Sequence, residues 1–320
     1  MSAEIIHVER GSEVHLVGRP ADWAAAAEGP GPEGWRIVRH RLRPTAERGR
    51  GVMFAGPWIG EFGWELARWQ GGLRKLARES GLYAVVMGDA GHGLLYEWAN
   101  EYWETPAGFW ADGMTRQCDH VRGDPEKIAP RLRRLAAAAA QQLEGLGDVG
   151  VCVTPRRFKI KEQEIARLAA DGPWSAEMRR GRGYFCVVPR LRDWNRRKNW
   201  SPTKWQALVG ALARPGLAAA VVGTPAELAV LSPADAMPER RALAHGVNLL
   251  SYARFAVASE SGGALLALLC GCPSVVMGHP RQERRITQTE NFFRTPVRYL
   301  GRPGYNFTVA EVADACRAFM

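Results

Sequence analysis

Four short segments carry the residues whose types and spacing suit chemistry. In GPWIGEFGWELARW (56–69) a glycine-bounded loop brings Glu61 and Glu65 to a helix start, and the four-residue spacing puts both carboxylates on one face. A carboxylate at the carboxyl end of a strand is placed for general-base work, while the helix dipole alone also favours acids in a first turn. In PRLRDWNRRKNW (189–200) five cations, Arg190, Arg192, Arg196, Arg197 and Lys198, follow a strand and precede a helix, a pattern suited to an anion such as a diphosphate. An exposed basic loop gives the same pattern. The run ASESGGALLALL places Glu260, Ser261, Gly262 and Gly263 between a strand and an apolar helix. There the glycines permit close approach of a ligand, Ser261 suits a helix cap, and a carboxylate accepts ribose or sugar hydroxyls. An ordinary strand-to-helix turn is the plainer reading. GDAGHG (88–93) lacks GxGxxG spacing but offers Asp89 and His92 from a glycine-rich loop.

The elements that must position these loops alternate between strand and helix. Residues 51–56, 82–88 and 150–154 read as buried strands, with helices expected over 61–80, 94–103, 132–146 and 159–170. Asp171 to Gly183, rich in glycine, is the linker. A second alternation follows, with strands over 184–189, 217–223, 254–259 and 273–278. Ser201-Pro202 opens one helix, and the capping boxes Thr224…Glu227 and Thr308…Glu311 open two more. Such alternation implies parallel sheets with right-handed crossovers, and ligands sit beyond the carboxyl ends of such strands. Residues 1–50 differ: short alternating stretches around the turn GPGPEG (29–34) suggest a small β-rich extension. We therefore expect an α/β chain of two Rossmann-like domains facing a cleft, over 51–178 and 179–320, after an extension over 1–50.

Composition narrows the class. The 320 residues carry 43 Lys plus Arg against 33 Asp plus Glu, a formal charge of +10, with 46% hydrophobic and 24% charged residues. That mixture excludes disordered, collagen-like and disulfide-miniprotein chains. No apolar run reaches the roughly 18–20 residues of a membrane helix, and the N-terminus lacks a signal pattern, so the chain reads as soluble and cytoplasmic. The six cysteines show no zinc-finger spacing, and a reduced, metal-free protein is expected. Between Arg156 and Lys198 thirteen cations face five acids, and Arg281, Arg284, Arg285, Arg294, Arg298 and Arg302 form a second group. Clustering of this kind suits phosphate-bearing ligands, a nucleotide or a nucleic-acid backbone.

The run RRKNWSPTKWQAL, then VVGTPAEL, then NLLSYARFAVASESGGALLALLCGCPSVV resembles the nucleotide-sugar half of the ADP-heptose:lipopolysaccharide heptosyltransferases, a family with the GT-B fold. On that resemblance Lys198 falls at the phosphate-contacting lysine, and Glu260-Ser261-Gly262 at an Asp-Thr/Ser-Gly motif. GPWIGEFGWE resembles the family's Gly-Asp loop, and Glu61 falls on its catalytic aspartate. The pattern covers roughly residues 51–319. Leu265 stands where the family has His, Glu replaces Asp at both 61 and 260, and residues 1–50 have no counterpart. The resemblance carries the fold and the chemistry class, not the substrates.

Together these features point to a metal-independent GT-B glycosyltransferase with no cofactor beyond its nucleoside-diphosphate sugar. Catalytic residues would be Glu61, as the base of an inverting displacement, and Glu65. Arg190, Arg192, Lys198 and Glu260–Gly263 would bind the donor, and Asp89 and His92 the acceptor. The acceptor is a small molecule or glycan, or DNA carrying a modified base. Alternatives on the same fold are a nucleotide-sugar hydrolase or epimerase and a non-catalytic sugar-nucleotide binder.

Overall fold

A computed structural model describes residues 8–10, 13–18, 38–41, 51–106, 109, 125–143, 150–153, 157–169, 183–192, 195–230 and 243–320. The GPGPEG turn, nearly all of the expected linker, Trp110 and Cys118 lie outside the described residues. The chain divides into two compact units, Met1–Ile165 and Ala166–Met320.

The first unit is built on a seven-stranded sheet of order β1-β2-β7-β4-β5-β6-β3. Its centre is parallel: β7 (Gly150–Val153), β4 (Val52–Ala55), β5 (Tyr83–Gly88) and β6 (Glu101–Glu104). Strands from the first 50 residues flank that centre antiparallel to it. β2 (Glu13–Gly18), extended by β1 (Val8–Arg10), pairs with β7, and β3 (Val38–Arg41) pairs with β6. β4 and β5 are buried throughout, the continuous apolar signature of strands covered on both faces.

Helix α1 runs as Phe62–Trp64, a widened turn over Glu65–Trp69 and then Gln70–Ser80, ending on Gly81 at φ 65°. Of Leu66, Trp69, Leu73 and Leu76, whose spacing reads as one helix face, the first three are buried and Leu76 is half-buried. In the widened turn the Gln70 N–H reaches back to the Glu65 carbonyl, one residue further than in an α-helix. The Arg68 carbonyl within it and the Gly71 carbonyl just beyond it accept the N–H groups of Phe158 and Glu164. A Cβ on Gly71 or Gly72 would collide with Ile165 or Phe158, so the two glycines form the bed on which residues 157–165 lie.

Two expected helices are absent. Over 94–103 there is a single tight turn, His92–Tyr96, and then β6. Glu101 and Trp103 share one face of β6, where Trp103 Nε1 and Tyr83 Oη donate to the Glu101 carboxylate at 2.7 and 3.0 Å. The alternate position, Tyr102, stacks on Tyr96 with centroids 5.6 Å apart. A period of two over four residues is masked by the helical spacing of LLYEWAN just before it. Over 159–169, the described part of the other, only Ile160–Glu162 is helical. The main chain there is committed to the carbonyls of α1, and Gln163 Nε2 also donates to Arg68 O at 3.2 Å. Helix α2 spans Pro125–Leu143, starting earlier than its alanine-rich stretch suggests.

The second unit is an all-parallel sheet of order β12-β11-β10-β8-β9: β8 (Gly183–Val188), β9 (Leu217–Val221), β10 (Ala256–Ser259), β11 (Ser274–Gly278) and β12 (Val297–Gly301). β12 was not apparent from the sequence, because Val297–Gly301 alternates half-exposed residues at a sheet edge. Helix α3 (Pro202–Leu212) begins as expected, with Ser201 Oγ accepting the Lys204 N–H. Glu227 accepts the Thr224 N–H at 2.7 Å ahead of α4 (Pro225–Leu228), and α7 (Val309–Cys316) opens on the full Thr308–Glu311 box. Between them lie α5 (Leu243–Tyr252) and the wholly apolar α6 (Gly262–Leu269). No helix of the described residues is long and apolar enough to cross a membrane.

Cys186, Cys270, Cys272 and Cys316 are buried free thiols in the second unit. Burial pushes the thiols of Cys270 and Cys316 up to about 12, from an ordinary value of 9.0. Unfolding exposes them, so above about pH 9 the unfolded chain releases protons that the folded chain retains. Their contribution to stability is intact below that pH and is lost as pH rises toward 12. Denaturation midpoints should therefore fall steadily between pH 9 and 11. Iodoacetamide at pH 8 should label these four positions only after denaturant is added; labelling of the native chain at the unfolded rate would contradict the burial.

Candidate functional site

Each unit gathers ionisable side chains at the carboxyl ends of its central strands. In the first unit β4 runs into Gly56, whose φ of 108° suits glycine, and where a Cβ would strike the Met87 carbonyl of β5. The loop then reaches Glu61 in extended conformation at the N-cap of α1. Its carbonyl accepts the N–H groups of Trp64 and Glu65 and, at 3.1 Å, Trp58 Nε1, while its side chain makes no capping bond. Glu65, by contrast, is 2% exposed. One of its carboxylate oxygens lies 3.0 Å from His92 Nδ1, and the other accepts from Tyr96 Oη at 2.8 Å. The two carboxylates expected on one face therefore stand differently: Glu61 marks the helix entrance and Glu65 turns inward.

His92 follows Gly91 (φ 80°) at the end of the β5 loop, with the Phe62 ring tilted against it at 5.4 Å. Asp89 contributes its carbonyl, which accepts the His92 N–H at 3.0 Å and Tyr102 Oη at 2.6 Å. Burial first, and the Glu65 charge second, push the hydroxyls of Tyr96 and Tyr102 well above the ordinary tyrosine range, so both remain donors. Glu65 and His92 each stand out in the sequence, but no local pattern pairs them or marks Tyr96 and Tyr102. Among the tryptophans of this unit, Trp58, Trp69 and Trp103 are core. Trp64 is half-buried, with the Arg157 guanidinium over its ring at 4.1 Å.

In the second unit the cationic loop after β8 is ordered from within. Asn199 is its hub: Oδ1 accepts from Arg190 Nη1 at 2.6 Å and from the Arg192 N–H, and Nδ2 donates to the Arg192 carbonyl at 2.8 Å. Asn195 turns the loop at φ 50°, a conformation asparagine tolerates. Arg190 is 5% exposed, and Arg192 Nη1 pairs with buried Glu227 at 3.5 Å. These two arginines shape the loop; Lys198 leaves it and reaches Glu260.

Glu260, 5% exposed after β10, is the centre of the cluster. Oε1 meets Lys198 Nζ at 3.1 Å and Arg285 Nη2 at 3.3 Å. Oε2 accepts from the His279 N–H at 3.0 Å, Tyr299 Oη at 3.3 Å and Tyr305 Oη at 3.4 Å. Five donors thus converge on one carboxylate, and Arg285 extends the network to buried Glu290 at 2.9 Å. A Cβ on Gly278 would collide with Tyr299 Oη, so glycine there lets β11 pass close under Glu260. Burial, followed by Glu260, pushes the Tyr305 hydroxyl up to about 12. Ser261 occupies the N-cap of α6, but its hydroxyl makes no capping bond. Gly263 is needed because a Cβ would collide with Val188 of β8; that is helix-to-strand packing. Lys198 and Glu260 are expected in one site from the sequence, in which Arg285 is one of a group of arginines. Among the described residues no group of three or more His, Cys, Asp or Glu is placed to hold a metal ion.

Two Rossmann-like α/β units with their ionisable loops at the carboxyl ends of parallel strands give the chain the GT-B type of fold. The chain is similar, over 84% of its length and 98% of the other's, to the structure of the E. coli ADP-heptose lps heptosyltransferase II, with TM-score 0.52 and 12% identity. It is similar to the same degree, TM-score 0.52, to a glycosyl transferase family 9 structure from Veillonella parvula, at 10% identity over 85% of this chain and 99% of that one. No protein-family model matches the sequence, and no curated protein matches it.

Proposed function

We propose that the protein is a glycosyltransferase that moves a sugar from a nucleoside diphosphate to an acceptor hydroxyl. The observation that carries this reading is the cluster of Lys198 and Arg285 on Glu260, in a fold shared with an ADP-heptose heptosyltransferase and a family 9 glycosyltransferase. The second unit binds the donor. The diphosphate takes up Lys198 and Arg285, which stabilise the charge that develops as the anomeric carbon–oxygen bond breaks. Two cations fill the role that a divalent ion plays on a diphosphate, so the reaction runs without one. The first unit binds the acceptor and supplies the proton acceptor from the set Glu61, Glu65 and His92. Single in-line displacement on the anomeric carbon then inverts its configuration.

The test is thermal stabilisation by UDP, GDP, ADP, CMP and dTDP, with and without Mg²⁺. A ligand at one hundred times its Kd should add about 2.7 kcal/mol of stability. Stabilisation by one nucleoside diphosphate, equal with and without Mg²⁺, supports the reading. No shift from any nucleotide removes it, and a shift that requires Mg²⁺ removes the metal-independent form.

A further inference from the structure

The pairing of Glu65 with His92 assigns the proton acceptor more narrowly. We infer that His92 Nε2 removes the proton from the acceptor hydroxyl, with Glu65 holding the imidazole in place; this rests on the glycosyltransfer reading above. The carboxylate of Glu65 can only accept, so at 3.0 Å the hydrogen between them belongs to His92 Nδ1, and the ring's basic lone pair is on Nε2. Tyr96 Oη occupies the other carboxylate oxygen at 2.8 Å, so the carboxylate cannot turn away from the ring. The widened turn at Glu65–Trp69 carries Glu65 inward, and Gly91 carries His92 outward. The histidine side chain is 19% exposed and that of Glu65 only 3%, so the imidazole can meet a ligand and the carboxylate cannot. Glu65 is therefore a positioning residue.

The step balances. The acceptor O–H bond breaks with its proton passing to Nε2, and the freed oxygen pair bonds to the anomeric carbon. The bond from that carbon to the diphosphate oxygen breaks, and its pair leaves with the diphosphate. The imidazolium that forms lies against the Glu65 carboxylate in a weakly screened site, which stabilises it. Its proton passes to water after the product departs.

His92→Ala should cut turnover by about 10²–10⁴-fold. Nucleotide affinity should be unchanged, and added imidazole should restore part of the turnover. The ¹⁵N spectrum of His92 should show the neutral ring protonated at Nδ1, shifting toward the Nε2-protonated form in Glu65→Gln. Near-full turnover of His92→Ala, failure of imidazole to rescue it, or an Nε2-protonated ring in the parent protein each overturns the assignment. Absence of transfer by the parent protein with every nucleotide-sugar donor overturns the glycosyltransfer reading itself, an outcome distinct from these.

Discussion

Lys198→Ala is expected to weaken binding of the nucleoside diphosphate by about ten- to a hundredfold, as measured by titration calorimetry. A hydrogen bond to a charged group contributes about 1.5–3 kcal/mol, and each 1.4 kcal/mol is a factor of ten in Kd. Lys198 fits this role because it is the cation of its loop that reaches the end of β10. Arg190 and Arg192 are engaged with Asn199 and Glu227, whereas Lys198 Nζ sits 3.1 Å from Glu260 with 22% of its side chain open to solvent. An incoming phosphate can reach that ammonium without dismantling the loop. Because the contact is partly solvated, the loss should shrink as salt is raised. An unchanged Kd would take the diphosphate away from Lys198.

Glu260→Ala should destabilise the second unit by about 3–5 kcal/mol in denaturant unfolding, the usual cost of removing one partner from a buried ion pair. Five donors lose their shared acceptor at once; Tyr299 Oη keeps the His279 carbonyl at 2.8 Å, but the His279 N–H and the Tyr305 hydroxyl have little water to turn to. Arg285 keeps Glu290 and Lys198 is partly solvated, which places the loss toward the lower end of that range. The variant also separates two uses of the carboxylate. If Glu260 restrains Lys198 and Arg285 until an anion arrives, the variant's nucleotide affinity should hold or rise while its stability falls. A loss of affinity matching that of Lys198→Ala would mean that Glu260 itself meets the ligand. A loss of stability below about 1 kcal/mol would contradict the convergent network.

The sequence made the scaffold legible where burial is complete. Val52–Ala55, Tyr83–Gly88, Ala256–Ser259 and Ser274–Gly278 are strands covered on both sides, and their unbroken apolar runs say so. The loops after β4, β5, β8 and β10 could be located for the same reason. Segments answering to distant partners were not legible. Residues 157–165 give up helical propensity because the α1 carbonyls and the Gly71–Gly72 bed receive them. The Glu65–His92 pair spans 27 positions and Arg285–Glu260 spans 25, separations at which no local pattern links two charges. Arg285 in particular is indistinguishable by sequence from Arg281 or Arg284, because what selects it is the end of β10.

The placement of β1 and β2 also bears on how the protein is made. β2 pairs with β1 and with β7, and β7 begins at Gly150, so the hairpin leaves the ribosome more than a hundred residues before its partner. At translation rates of about 5–20 residues per second, that interval is on the order of ten seconds. During it, one border of the nascent hairpin stays open to other strands in the cell. The first unit can complete its sheet only when synthesis reaches its last strand.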